Sequence, residues 1–155
     1  MVVTFLPFPD VRKSLECLDN PRLKYQRVEA LMIIRSIESG KLSNNPAFKM
    51  WADNLDFLKY YYNASLQIFE ERGGNNAKCV PVIHLENPDM PAWFGYEPFH
   101  ASHRAALYRK NPTYYSSIFD TVTDAPYLEY GYCWPTRYYP GCAFSDLFGP
   151  IPQSD

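Results

Sequence analysis

DNPRLKYQRVEALMIIRSIESG, residues 19–40, decides the fold class. Asn20 is a residue type that caps helices, Pro21 suits the first helical position, and Gly40 suits the turn that closes one. At 100° per residue, Leu23, Ala30, Leu31, Ile34 and Ile37 make a broad apolar face, while Arg22, Gln26, Glu29 and Ile33 fall on a narrow stripe. The stretch therefore predicts a long helix with a core face and, in its first half, a carboxylate among arginines. Such a carboxylate suits a site that stabilises a developing cation beside anions. Taken on the helix alone, the plainer reading is an ion pair of Glu29 with Arg22 or Arg27 on a solvated face. Arg27 projects from the apolar side, so its charge must be paired or must reach a cleft.

Downstream, Asn45 and Pro46 repeat the cap-plus-proline signal for a helical turn, with Phe48 and Trp51 as core. Residues 53–73 predict a second long helix, capped by Asp53 or Asn54 and ended by Gly73 and Gly74. Leu55, Leu58, Tyr62, Leu66 and Phe69 keep helical spacing along it. The run Lys59 to Tyr62 is read as core aromatics, not as a nucleic-acid surface. Prolines and glycines across 73–98 predict a long ordered loop, with Val80 to Leu85 a short edge strand at most. Residues 99–111 predict a third, shorter helix, and NPTYYSSIF after it a helical turn. The fold class is all-α: a bundle of about three main helices with Pro-rich loops, residues 1–130 forming the domain and 131–155 an aromatic tail packed on it.

Composition narrows the function. The 155 residues suffice for one domain with a real core, and a hydrophobic share of 46% with 21% charged residues is ordinary for a soluble protein. A net charge of −2 gives bulk electrostatics no role in nucleic-acid binding, so any such contact must use a local basic patch. The densest patch is His103, Arg104, Arg109 and Lys110 on the third helix, suited to phosphate; Arg109 and Lys110 also complement a helix C-terminus. His100 and His103, three apart, have the spacing of a shared metal pair, but no acid or cysteine completes a familiar ligand set, and the expectation is no metal and no cofactor. Cys17, Cys79, Cys133 and Cys142 form no Cys-x-x-Cys pair and read as reduced thiols of an intracellular, non-secreted protein, a disulfide between Cys133 and Cys142 being the alternative that nothing in the sequence supports. No apolar run approaches membrane-spanning length.

The start of the chain, MVVTFLPFPDVRKS, is apolar and broken by Pro7 and Pro9, which predicts a docked terminus. Val2 is small enough for Met1 to be removed. An α-amine so exposed, with an ordinary pKa of roughly 7.7–8.0, can act as a nucleophile near a carboxylate. In the tail, Trp134, Tyr138 and Tyr139 around Arg137 either stack on bases or bind the tail to the body, the latter being the default.

Three stretches in order carry a resemblance: LDNPRLKYQRVEALMI; then NPAFKMW with FLKYYYNASLQIFEERG; then PAWFGYEPFHASHR with RKNPTYY behind it. Together they resemble the pyrimidine-dimer DNA glycosylases of the phage endonuclease V type, through a broader bacterial and viral group with the pattern LDN-x-R-L-x-x-Q-R-x-E-A. The resemblance spans most of residues 4–119. It implies a helical body that excises damaged bases from double-stranded DNA and then cleaves the strand at the abasic sugar. It assigns the nucleophile to the α-amine of Val2 and the assisting carboxylate to Glu29; the expected DNA contacts, read from the residues themselves, are Arg22, Gln26 and Arg27 of the first long helix and His103, Arg104, Arg109 and Lys110 of the third. Lesion access requires a kinked duplex and a flipped nucleotide. The family has Thr then Arg at the mature terminus and arginines around its glutamate; here stand Val2, Val3, Val28 and Met32. Those differences keep a second reading open, a member of the fold that binds DNA or protein without catalysis. An unrelated enzyme using His100, His103 and Glu29 is a third.

Overall fold

The computed structural model describes residues 2–120 and 131–135. Among them there are six helices and no strand, so the all-α expectation is met. The chain divides into two compact units. One holds residues 1–5 and 10–91, the other residues 6–9 and 92–155.

The first unit is built on α2, Asn20–Glu38, packed along α4, Leu55–Glu71. The start of α2 differs by one residue from the sequence reading. Asp19 is the N-cap, and Asn20 and Pro21 are the first two helical residues. The Asp19 carboxylate makes no capping bond because it pairs with Arg22 at 2.8 Å. Gly40 closes the helix as expected. It stands just past the C-cap Ser39 with φ +75, a backbone region glycine enters without a Cβ penalty. Leu23, Ala30 and Ile34 are buried, while Leu31 and Ile37 are half-buried. The buried set also includes Gln26, Arg27 and Ile33. The polar stripe thus turns inward, because α4 packs across it as well as across the apolar face.

Two short helices complete this unit. α1, Val11–Glu16, was not expected from the sequence. Asp10 caps it, its side chain accepting from the Lys13 N–H at 2.8 Å. The six residues are too few to show a hydrophobic period, so the Pro-Asp start signal stands alone. α3, Pro46–Lys49, is the expected turn, capped by Asn45 on the Ala47 N–H at 2.9 Å. Phe48 and Trp51 are buried as expected. On α4, Tyr61 and Tyr62 are fully buried and Gly73 follows the helix with φ +86.

The loop after α4 contains no strand. Asn63 on α4 takes the place of a strand partner, accepting from the Val82 N–H at 3.0 Å and donating to the Val82 carbonyl at 2.6 Å. Arg27 resolves its buried charge on the loop's first turn. Its guanidinium donates to Asn76 Oδ1 at 2.7 Å, its Nε to the Lys24 carbonyl at 3.1 Å, and it lies 3.8 Å over the Phe69 ring.

The second unit is built on α5, Glu97–Lys110, which starts two residues before the sequence reading with Pro98 in its first turn. α6, Pro112–Tyr115, is the expected turn, capped by Asn111 on the Tyr114 N–H at 3.2 Å. The middle of α5 is buried, including His100, Ser102 and His103. The Cys133 N–H donates to Ser102 Oγ at 2.9 Å and Trp134 is buried. Cys133 is disulfide-bonded, which corrects the reduced-thiol expectation for that residue; Cys17 and Cys79 are free thiols. The absence of Cys-x-x-Cys spacing does not limit pairing between cysteines further apart. Arg137, Tyr138, Tyr139 and Cys142 lie outside the described residues.

Candidate active site

Residues 2–5 run as an extended segment with no strand to pair with, so their backbone groups need other partners. Side chains of the first unit supply them. The Val3 N–H donates to Glu29 Oε2 at 3.2 Å. The Phe5 N–H donates to Gln26 Oε1 at 2.8 Å, and the Tyr61 hydroxyl donates to the Phe5 carbonyl at 2.9 Å. Trp51 Nε1 donates to Thr4 Oγ1 at 2.9 Å. Gln26 Nε2 faces the same Glu29 oxygen at 3.4 Å. The structure thereby brings together the two residues expected to react. The backbone next to Val2 is bonded to the Glu29 carboxylate, and both residues are half-buried.

The arginines of α2 go elsewhere. Arg22 pairs with Asp19, and Arg27 engages Asn76 and Phe69. Tyr25, Val28 and Met32 are the exposed large hydrophobic side chains of α2. Tyr25 and Met32 stand four before and three after Glu29, on the same side of the helix. A cavity of about 460 Å³ lies between the start of α2 and the end of α4, lined among others by Lys24, Tyr25, Phe69 and Arg72.

In the second unit, Leu6 is held by two imidazoles. His103 Nδ1 accepts from the Leu6 N–H at 2.9 Å, so its neutral ring carries the proton on Nε2. His100 Nε2 accepts from the Gly95 N–H at 2.9 Å, which leaves Nδ1 to donate to the Leu6 carbonyl at 2.7 Å. Burial holds both histidines below the ordinary range, His103 far below, with the charges of His100 and Arg104 adding to the effect on His103. The pair that looked like a metal site by spacing is a clamp on the backbone. His100 commits both ring nitrogens to it, and His103 commits Nδ1. Among the described residues no group of three or more His, Cys, Asp or Glu is placed to hold a metal.

Of the residues expected at a DNA surface, Gln26, Arg27 and His103 are buried and their polar atoms engage the protein's own groups. Arg104 is mostly covered, donating to the Pro7 carbonyl at 2.8 Å and pairing with Glu97. Arg22 is partly exposed, and Arg109 and Lys110 are exposed at the end of α5. The sequence marked Tyr61 and Trp51 only as core and did not single out Thr4. Their partners lie 56, 47 and 47 residues away along the chain, a separation no local pattern encodes.

Among the described residues the protein is helical, and its first described segment is bonded through the Val3 N–H to the Glu29 carboxylate of α2. The family model for pyrimidine dimer DNA glycosylases matches residues 2–80, which include the terminal segment, Glu29 and α4, and the chain belongs to that family. No curated protein and no solved structure matches the chain.

Proposed function

We propose that this protein removes damaged pyrimidines from DNA and cleaves the strand through an imine formed by its own N-terminal amine. The observation that carries this reading is the 3.2 Å bond from the Val3 N–H to Glu29 Oε2, which puts the nitrogen of residue 2 one residue from the carboxylate. Family membership supports the glycosylase part, since the family acts on pyrimidine dimers in DNA.

Removal of Met1 leaves the amine on Val2. Its lone pair attacks C1′ of the damaged nucleotide and the base departs with the bonding electrons. The amine gives up a proton, the sugar ring opens, O4′ takes a proton, and C1′ becomes a protonated imine on Val2. Glu29 stabilises the cationic sugar as it forms. The same carboxylate removes a proton from C2′; the C3′–O bond breaks and expels the 3′ phosphate. Water then adds to the imine and frees the amine. In this reading Arg22, Arg109 and Lys110 are the phosphate-contacting cations, because among the expected DNA contacts they are the ones least covered by the protein itself.

The test is strand cleavage of a duplex carrying one abasic site or one cyclobutane thymine dimer, comparing the wild-type protein with Glu29→Gln. Glutamine keeps an acceptor for Val3 and removes the base, so cleavage should fall by at least ~100-fold with DNA affinity unchanged. Cleavage that survives the change would remove Glu29 from the mechanism. No cleavage by the wild type would leave a DNA- or protein-binding member of the family.

A further inference from the structure

Gln26 and Tyr61 are buried polar side chains that the reaction does not use. Gln26 is 1% exposed and Tyr61 fully buried. Gln26 Oε1 receives the Phe5 N–H at 2.8 Å and the Tyr61 hydroxyl at 2.7 Å. A backbone N–H can only donate, so the orientation of the Gln26 amide is fixed and Nε2 must face Glu29 Oε2. Tyr61 stays protonated because burial, with the charge of Glu29 adding to it, holds its phenol well above the ordinary range. Its single proton is shared between Gln26 Oε1 and the Phe5 carbonyl. The two side chains therefore tie the Phe5 N–H to α2, which carries Glu29, and the Phe5 carbonyl to α4, and Gln26 ties that carboxylate to the same network.

We infer that Gln26 and Tyr61 are a positioning pair that fixes the register of residues 2–5 on α2, so that the nitrogen of residue 2 stays beside Glu29. The effect on rate rests on the proposed amine chemistry; the effect on the terminal segment does not. A misplacement of about 1 Å in a reacting group costs roughly a hundredfold in rate, while a hydrogen bond lost without misplacement lowers stability and leaves the rate of the folded protein unchanged. Positioning and plain stabilisation therefore predict different outcomes.

The neighbouring tyrosine supplies the control. Tyr62 donates its hydroxyl to the Val80 carbonyl at 2.9 Å, the same kind of bond made to a different segment. The experiment compares Tyr61→Phe with Tyr62→Phe in the full chain, and adds Gln26→Met in case the first variant folds poorly. Amide hydrogen exchange of Val3 and Phe5 is read first, then the single-turnover rate of borohydride trapping on saturating abasic DNA.

Tyr61→Phe and Gln26→Met should raise Val3 and Phe5 exchange at least ~10-fold and slow trapping by roughly ten- to a hundredfold at unchanged DNA affinity. Tyr62→Phe should leave both near wild type. Unchanged Phe5 exchange in both test variants, or equal effects from Tyr61→Phe and Tyr62→Phe, would overturn the inference. A wild type that does not trap, together with released Val3 and Phe5 amides in the test variants, would sink the amine chemistry and leave the positioning role standing.

Discussion

Arg27→Ala separates a structural arginine from a DNA-contacting one. The Arg27 guanidinium is buried over Phe69 at 3.8 Å and donates to Asn76 Oδ1 at 2.7 Å. Asn76 is itself fixed, its Nδ2 donating to the Leu66 carbonyl at 2.8 Å and to Glu70 at 3.0 Å. Truncating Arg27 leaves Asn76 Oδ1 without its charged donor, which costs roughly 1.5–3 kcal/mol. It also removes a desolvated cation–π contact of about 1–2 kcal/mol. Removing the desolvation cost of holding a buried charge offsets some of this. The net expectation is a loss of about 2–4 kcal/mol, or roughly 5–15 °C in Tm for a chain of this size. Urea unfolding should show a lower midpoint at unchanged slope. DNA affinity measured where the variant is folded should keep the wild-type salt dependence, because a phosphate contact carries a slope change of about 0.9 in log K against log salt. Stability within about 0.5 kcal/mol of wild type together with that slope change would refute the structural assignment.

Two further outcomes follow from the same packing. Burial disfavours the charged form of His100 and, far more, of His103 in the folded protein, while both protonate near their ordinary pKa of about 6.5 when unfolded. Below that pH the unfolded chain binds more protons than the folded chain, so stability present above pH ~6.5 is lost on acidification, His103 contributing the larger share; urea midpoints that are flat from about pH 6.5 to 5.5 would show that the clamp on Leu6 does not need neutral rings. A Cβ at Gly74 would lie 2.4–2.5 Å from ring atoms of Phe69, so Gly74→Ala must displace that ring from under Arg27. A cost of about 1–3 kcal/mol is expected, shrinking in a Phe69→Leu background, and additivity of the two changes would argue against the clash.

The long helices were legible because their signals are local. Pro21 near the start and Gly40 just past the end bracket α2, and Asn45 with Pro46 marks α3. The short α1 was not legible, because one turn and a half carries no period. On α2 the helical wheel grouped Gln26, Glu29 and Ile33 correctly on one stripe. It could not say that α4 and the terminal segment cover that stripe, since burial there depends on residues 3–5 and on Tyr61. The same limit hid the role of His100 and His103. A spacing of three fits a metal pair or a backbone clamp, and only the placement of Leu6 between the rings distinguishes them. The motif singled out Glu29 as a candidate, while the network that seats residues 3–5 against it was not legible.

Borohydride trapping of the untagged protein, with Met1 removal verified by intact mass, on an oligonucleotide bearing one abasic site tests the central claim most directly. The account predicts a covalent protein–DNA adduct that vanishes when the N-terminus is acetylated or when Met1 is retained. A correctly processed, folded protein that forms no adduct, or an adduct that survives a blocked terminus, would contradict it.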